Sequence, residues 1–153
     1  MLERIVAQYS PMLLRLAGTR LSSAADAEDA VQEVFLKLLS SGVVFRSEEH
    51  EKAWLIRATL HRAGDIRRRA DRKNLPLETA ETLGAPDQLE MDFILDAVRS
   101  LPPKYSSVLY LHYYEGFSAR EIGRLLGLPA ATVGTRLARG RDRLEKLLKE
   151  DDL

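Results

Sequence analysis

Residues 117–144 constrain this chain more than any other stretch, because FSAREIGRLLGLPAATVGTRLARGRDRL contains two helical patterns around a tight turn. Ser118 followed three residues later by Glu121 is the capping-box pattern that begins a helix. Gly127 suits the left-handed residue after a helix end, and Pro129 fits the first turn of a new helix. The stretch therefore predicts a helix-turn-helix, a motif that places its second helix in the major groove of DNA.

The second of these helices has two different faces. Its apolar face is formed by Val133, Leu137, Leu144 and Leu148. Its polar face carries Thr132, Thr135, Arg136, Arg139, Arg143 and Lys146. Hydroxyl and guanidinium donors on one face suit phosphates and base edges, which favours DNA binding over the alternative, an ordinary helical hairpin with a solvated charged face.

Composition excludes several classes of protein. The 153 residues include no cysteine, which rules out disulfides and cysteine metal sites and fits a cytoplasmic location. No apolar run approaches the roughly 18–20 residues that span a bilayer, so we expect no membrane insertion. The N-terminal MLERIVAQYS carries an acid and lacks a small-residue cleavage site, unlike a signal peptide.

The net charge is zero, but the charges are unevenly distributed. Residues 57–73 hold seven basic and two acidic residues, and residues 132–146 hold five basic and two acidic residues. Residues 75–98 hold six acidic residues and no basic residue. Because local patches rather than totals set counterion release on nucleic acid, a neutral chain remains compatible with DNA binding.

Helical periodicity runs through most of the chain, and we predict an all-α fold of two small helical domains. Ahead of the helix-turn-helix, helices are expected at about 3–21, 26–39, 47–69, 89–100 and 103–115, the third of them capped by Ser47. The apolar side of the first helix is expected to contain Ile5, Tyr9, Met12, Leu13, Leu16 and Ala17. Residues 71–88 break every period and contain Pro76, Gly84 and Pro86, so they are predicted to form a flexible linker. The first domain is therefore assigned to residues 1–70 and the second to residues 89–153.

The second predicted helix, DAEDAVQEVFLKLL, carries an apolar residue on its acidic side. Its core stripe contains Ala27, Val31, Val34, Phe35 and Leu38. Leu36 falls on the other side with the polar residues Asp29, Gln32 and Glu33. This side is either a solvated face with one stray leucine or a surface for a basic helical partner.

The third predicted helix, EKAWLIRATLHRAGDIRRRADRK, is basic towards its end. Its core stripe contains Leu55, Ile56, Thr59, Ala63 and Ile66. Trp54, His61, Asp65 and Arg68 fall on another face, near Arg62 and Arg69. The arginines suit phosphates and the aromatic groups suit unstacked bases, although a basic helix end is often only solvated.

Three segments, in this order, resemble a sigma factor of bacterial RNA polymerase. They are DAEDAVQEVFLKLL, AWLIRATLHRAGDIRRR, and the run that begins LPPKYSSV and ends RDRLEKLL. The chain is most similar to the compact extracytoplasmic-function (ECF) group of the sigma-70 family, which keeps only sigma domains two and four. The resemblance covers residues 5–149 and implies a DNA-binding subunit that acts with core polymerase, without a cofactor.

The resemblance also implies a role for each surface. It assigns recognition of the minus-thirty-five promoter element to Ala131, Thr132, Thr135, Arg136, Arg139 and Arg143. It assigns recognition and melting of the minus-ten element, where flipped bases are captured, to Trp54, His61, Arg62, Asp65, Arg68 and Arg69. It assigns docking on the clamp helices of the polymerase largest subunit to Asp29, Gln32, Glu33 and Leu36. The polymerase flap and an anti-sigma factor are further partners that the family implies.

The chain departs from the family pattern at two places. Members often carry Gly-Thr-Val-Lys-Ser where residues 131–135 here read Ala-Thr-Val-Gly-Thr, and Asn where this chain has His61. Gly134 removes one possible phosphate contact and costs a helix interior about 1 kcal/mol relative to alanine. Promoter sequences of other members therefore do not transfer to this chain.

Two other classes of function compete with a sigma factor. A stand-alone regulator would use the helix-turn-helix alone and treat the N-terminal half as a sensor or dimer domain. The acidic face with Leu36 and the second basic patch favour the sigma factor. An enzyme is disfavoured because the three histidines are scattered and the sequence has no phosphate-cradling glycine loop and no His-x-x-x-His pair. The carboxylates near Glu33 also lack the Glu-x-x-His motifs of helical di-metal sites.

Overall fold

A computed structural model describes residues 2–72 and 96–151 of the chain. Every regular element in these two ranges is helical, which confirms the predicted all-α fold. The helices are α1 (Leu2–Gly18), α2 (Ala24–Ser41), α3 (Glu48–Arg72), α4 (Pro103–Tyr113), α5 (Ala119–Leu126) and α6 (Ala130–Asp151). Residues 96–99 are helical as well. None of the helices in the described ranges is both long and apolar enough to cross a membrane.

Helices α1, α2 and α3 form the first domain, and local signals set their ends. The Ser23 hydroxyl accepts a hydrogen bond from the Asp26 backbone amide at the start of α2, which ends at Gly42 with a φ of 68°. Ser47 accepts from the backbone amide of His50 (3.0 Å) and so caps α3 as predicted. The predicted core stripe of α1 is buried throughout, whereas Phe35 of α2 and Ile66 of α3 are only half-buried.

Two helix ends differ from the prediction by three residues. Helix α1 ends at Gly18 rather than near Leu21, because the next residues turn and Arg20 donates its backbone amide to Ala17. Leu21 is nevertheless fully buried beyond the helix. Helix α3 continues to Arg72 and so includes the first residues of the predicted linker. The remainder of that linker and most of the helix predicted at 89–100 lie outside the described residues.

Helices α5 and α6 form the predicted helix-turn-helix of the second domain. Both hydrogen bonds of the Ser118–Glu121 capping box are present, each 3.1 Å long. Gly127 ends α5 with a φ of 73°, a conformation that favours glycine. A Cβ at Gly123 would lie 2.6 Å from the Leu128 carbonyl oxygen, so the turn requires glycine there as well.

The two domains pack directly against each other, and arginines make most of the polar contacts. Arg15 of α1 donates to the hydroxyl of Tyr110 (3.0 Å) and to Glu115 (3.1 Å). Tyr110 donates to Glu115 (2.6 Å), and burial together with this carboxylate raises the pKa of the Tyr110 hydroxyl. Arg99 donates to the backbone oxygen of Gly18 (2.6 Å). A cluster of buried apolar side chains continues from α1–α3 into α4–α6.

Candidate DNA and polymerase interfaces

The structure brings five of the six predicted minus-thirty-five residues together along one groove of about 330 Å³. Its α6 side is lined by Ala131, Thr132, Thr135, Arg136 and Arg139. Val133 and Leu137, on the opposite side of α6, are buried in the domain. We call this the reader groove. It presents hydroxyl and guanidinium groups to solvent on a helix whose other face is fixed by packing.

Two of the six predicted minus-thirty-five side chains have partners within the protein. The Thr135 hydroxyl donates to the backbone oxygen of Ala131 (3.1 Å), so in this conformer it can only accept a further hydrogen bond. Arg143 does not line the groove; its guanidinium lies 4.9 Å from the centre of the Tyr105 ring. Lys104 and Tyr105 complete the groove from α4. Sequence reasoning missed them because they are remote from α6 in the chain.

A second hollow, of about 420 Å³, lies on α3. It contains two of the predicted minus-ten residues, the half-buried Trp54 and the exposed His61. The other lining residues are Lys37, His50, Ala53, Arg57 and Ala58. The Phe45 ring packs edge-on against Trp54 (6.1 Å between centres) and His50 (5.3 Å), and so holds both at the entrance to α3. We call this the α3 hollow.

Sequence reasoning missed the three polar side chains among these other lining residues, Lys37, His50 and Arg57, although the sequence carried a signal for two of them. His50, Trp54, Arg57 and His61 are spaced by four, three and four residues, which places them on one stripe of a helix. This second stripe was not recognised in the sequence, because the apolar core stripe of α3 is the stronger pattern. Lys37 comes from α2 and shares no helical spacing with the others.

The remaining predicted minus-ten residues lie outside the α3 hollow. Arg62 donates to Glu33 of α2, and Arg68 donates to Asp65. The hydrogen bond from Arg68 lowers the pKa of Asp65, so this carboxyl stays ionised at neutral pH. Arg69 is exposed near the end of α3. A carboxylate already bound to an arginine is poorly placed to read a base.

All four residues predicted to contact polymerase are exposed on α2: Asp29, Gln32, Glu33 and Leu36. Leu36 exposes 59% of its surface, and its neighbour Leu39, which sequence reasoning missed, exposes 61%. Glu33 forms an ion pair with Arg62 of α3, which is one of the predicted minus-ten residues. The α2 face thus presents two leucines and the carboxylate of Asp29.

An apolar groove of about 390 Å³ lies elsewhere on the second domain. Its lining is Val98, Leu109, Tyr113, Tyr114, Arg141 and Leu144. Arg141 donates to the Tyr113 hydroxyl (2.9 Å), and the side chain of Tyr113 is half-exposed. No lining residue is shared with the reader groove. The domain therefore has two separate surfaces, one polar and basic and the other apolar.

Comparisons with known families match both domains. Residues 5–73 match the family described as sigma-70 region 2. Residues 94–144 match the family described as sigma-70, region 4. The first match contains the α2 face and the α3 hollow, and the second contains the reader helix α6 up to Leu144.

Similar proteins span nearly the whole chain. The ECF RNA polymerase sigma factor SigW of Bacillus subtilis is 32% identical, over 95% of this chain and 88% of that protein. The RNA polymerase sigma factor SigV of the same organism is 29% identical, over 100% of this chain and 94% of that protein. Among solved structures, the sigma factor RpoE of Bartonella quintana, crystallised with the anti-sigma factor NepR, superposes with a TM-score of 0.77. That likeness covers 96% of each chain at 24% identity and concerns the fold.

Proposed function

The chain belongs to the ECF group of the sigma-70 family and directs RNA polymerase to promoters, and from that premise we propose which of its surfaces carries each step. The reader groove binds the minus-thirty-five element. The observation that supports this most directly is that five residues of one α6 face line a single groove beside the helix-turn-helix turn. Arg136 and Arg139 supply the charged donors, and a bidentate arginine contact with guanine is the commonest specific contact in a major groove.

We propose that the α3 hollow receives an unstacked base of the minus-ten element. Trp54 and His61 provide ring faces and edges, and Lys37 and Arg57 add positive charge at the same opening. Stacking of a base on an aromatic ring contributes about 1–3 kcal/mol, which offsets part of the cost of unstacking it from the duplex. Melting in this scheme is a binding process, and the chain acts as a non-catalytic subunit.

The α2 face is our proposed contact with the clamp helices of the polymerase largest subunit. Two exposed leucines beside a carboxylate fit a partner that offers apolar and basic groups together. We propose that the polymerase flap binds in the apolar groove around Tyr113, because the lining of this groove is apolar and is separate from the reader groove.

We further propose that the protein acts in the cytoplasm, where core polymerase is found, and that an anti-sigma factor is one of its partners. The crystallised complex of the Bartonella quintana RpoE with NepR supports the second proposal by likeness of fold. Such a partner would block transcription by covering the α2 face or the reader groove.

Run-off transcription with core polymerase on a library of promoters tests the proposed function. We expect the full chain to select templates that share two short elements, and Arg139→Ala to lose selection at the upstream element while the downstream element is kept. Lys149→Ala, at the exposed far end of α6, is the matched control. If the wild type and Arg139→Ala select the same promoters, the reader groove does not recognise the upstream element. Tight, specific promoter binding by a dimer without polymerase would favour the stand-alone regulator.

A further inference from the structure

Lys104 lies outside the helix-turn-helix but lines the reader groove. It is the second residue of α4, is exposed, and faces the groove together with Thr132, Arg136 and Arg139. More than 25 residues of chain separate it from these α6 residues. The fold thus adds a cation from a different helix to the α6 side of the reader groove.

An aromatic ring contacts both Lys104 and Arg143. The Lys104 ammonium lies 5.1 Å from the centre of the Tyr105 ring, and the Arg143 guanidinium lies 4.9 Å from it. Tyr105 itself is 3% exposed and packs against Gly140 of α6. Cation–π contact with a fixed ring restricts where both charges can lie, so the cations flank the reader groove in a defined arrangement.

Lys104 also lacks an acidic partner in the described ranges, as do Arg136 and Arg139. By contrast, Lys146 of the same α6 helix pairs with Asp142 at 3.3 Å. Lys104 and Arg136 also line an adjoining hollow that contains Arg20 and Arg57. The cations around these two adjoining openings, whose lining residues include no carboxylate, produce the positive potential that a phosphate backbone requires.

We propose that Lys104 binds a backbone phosphate next to the minus-thirty-five element and so forms part of the reading surface. The inference rests on the proposed function of the reader groove. An ammonium group is a point charge without the forked geometry of arginine, so it suits a phosphate rather than the paired acceptors of a base. Lys104 contributes affinity and orientation, and the α6 side chains contribute sequence selection.

The salt dependence of promoter binding tests this assignment. The full chain assembled with core polymerase is titrated onto promoter DNA over a range of salt concentrations. Each phosphate contact contributes about 0.9 to the slope of log K against log salt, so Lys104→Ala should reduce the slope by that amount. Relative to the wild type, Lys104→Ala should therefore lose roughly eight-fold more affinity at 0.1 M salt than at 1 M salt. Lys104→Arg should keep the slope, because it keeps the charge.

A second DNA and two further variants separate the possible outcomes. On DNA with a scrambled minus-thirty-five element, Lys104→Ala should weaken binding by the same factor, whereas Arg139→Ala should reduce the difference between the two DNAs. Lys149→Ala, at the exposed far end of α6, is the matched control and should leave the slope unchanged. If Lys104→Ala keeps the wild-type slope while Arg139→Ala still loses selectivity, the proposed role of Lys104 is overturned and that of the reader groove is kept. If Arg139→Ala keeps the wild-type selectivity, the proposed role of the reader groove in recognising the minus-thirty-five element is overturned.

Discussion

Arg57 of α3 donates a hydrogen bond from Nε to the backbone oxygen of Leu125 (2.6 Å) in the helix-turn-helix. Its Nη2 donates a second to the backbone oxygen of Arg124 (3.0 Å). Both carbonyls belong to the last turn of α5, where a helix has no partners of its own for them and carries partial negative charge. A side chain of the first domain therefore completes a helix end in the second.

Replacement of Arg57 by alanine is expected to lower the free energy of unfolding by about 1–2 kcal/mol, since two charge-assisted hydrogen bonds to a helix C-terminus are lost. Urea denaturation followed by circular dichroism measures the change. Arg69→Ala, an exposed arginine of the same helix, controls for the loss of charge and helix propensity. Equal stability of the two variants would mean that the contact with Leu125 contributes nothing.

Gly134 offers a stabilising substitution inside the reader helix. A Cβ at this position would meet no atom within 4 Å. We therefore expect Gly134→Ala to raise the free energy of unfolding by about 1 kcal/mol through helix propensity alone, which corresponds to about 2–4 °C in Tm. Gly123→Ala is the contrasting variant and should destabilise, because its Cβ would lie 2.6 Å from the Leu128 oxygen. Lower stability in Gly134→Ala would show that the helix depends on that glycine.

Glu51 makes the stability of the first domain sensitive to acid. Its carboxylate accepts hydrogen bonds from Arg4 (2.8 Å) and Tyr9 (3.0 Å), and the bond from Arg4 lowers the pKa of Glu51 despite its burial. A pKa that is lower in the folded chain stabilises the fold fully above the unfolded value of about 4.3, and the stabilisation is lost as the pH falls through the folded value. Glu51→Gln should be less stable than the wild type at pH 7, and the difference should shrink below about pH 4.

Denaturation curves recorded between pH 7 and pH 3 measure this effect. Glu28→Gln, which removes an exposed carboxyl from α2, is the matched control. Its free energy of unfolding should change with pH in the same way as that of the wild type. A gap between wild type and Glu51→Gln that stays constant over this range would contradict the assignment of the acid sensitivity to Glu51.

Leu36 provides a test of the α2 face. We expect Leu36→Asp to weaken binding to core polymerase at least ten-fold, because a charge replaces an exposed apolar contact in the proposed interface. Fluorescence anisotropy of the labelled chain titrated with core polymerase measures the affinity. Val6→Asp, at a 36% exposed position on α1, controls for the added charge. Native helicity with unchanged affinity in Leu36→Asp would remove this residue from the interface.

Features that depend on neighbours along the chain were predictable from the sequence. The Ser118–Glu121 capping box and the left-handed Gly127 are both present, because they require only a few consecutive residues. The buried stripe of α1 was predicted in full for the same reason, since one helical period defines it. Five of the six predicted minus-thirty-five residues line the reader groove, because they share one side of a single helix.

Contacts between distant parts of the chain were not predictable. Arg15 and Tyr110 are 95 residues apart, and no period or motif links them. Lys104 joined the reader groove, and Arg62 paired with Glu33, through the packing of separate helices. The family resemblance assigns Glu33 to polymerase and Arg62 to DNA independently of each other, because the charge pattern alone does not show which charges already neutralise each other.

Under the proposed roles of Glu33 in polymerase binding and of Arg62 in DNA binding, their ion pair makes the two binding events thermodynamically dependent on each other. A basic group of polymerase that approaches Glu33 competes with Arg62, and a phosphate that approaches Arg62 competes with Glu33. Whichever ligand arrives first releases the side chain that the other needs. The coupling free energy must be the same in both directions, so a chain that binds core polymerase more tightly when DNA is present must bind DNA more tightly when polymerase is present. A single surface contact between α2 and α3 thus contributes to a preference for the complete assembly over either half of it.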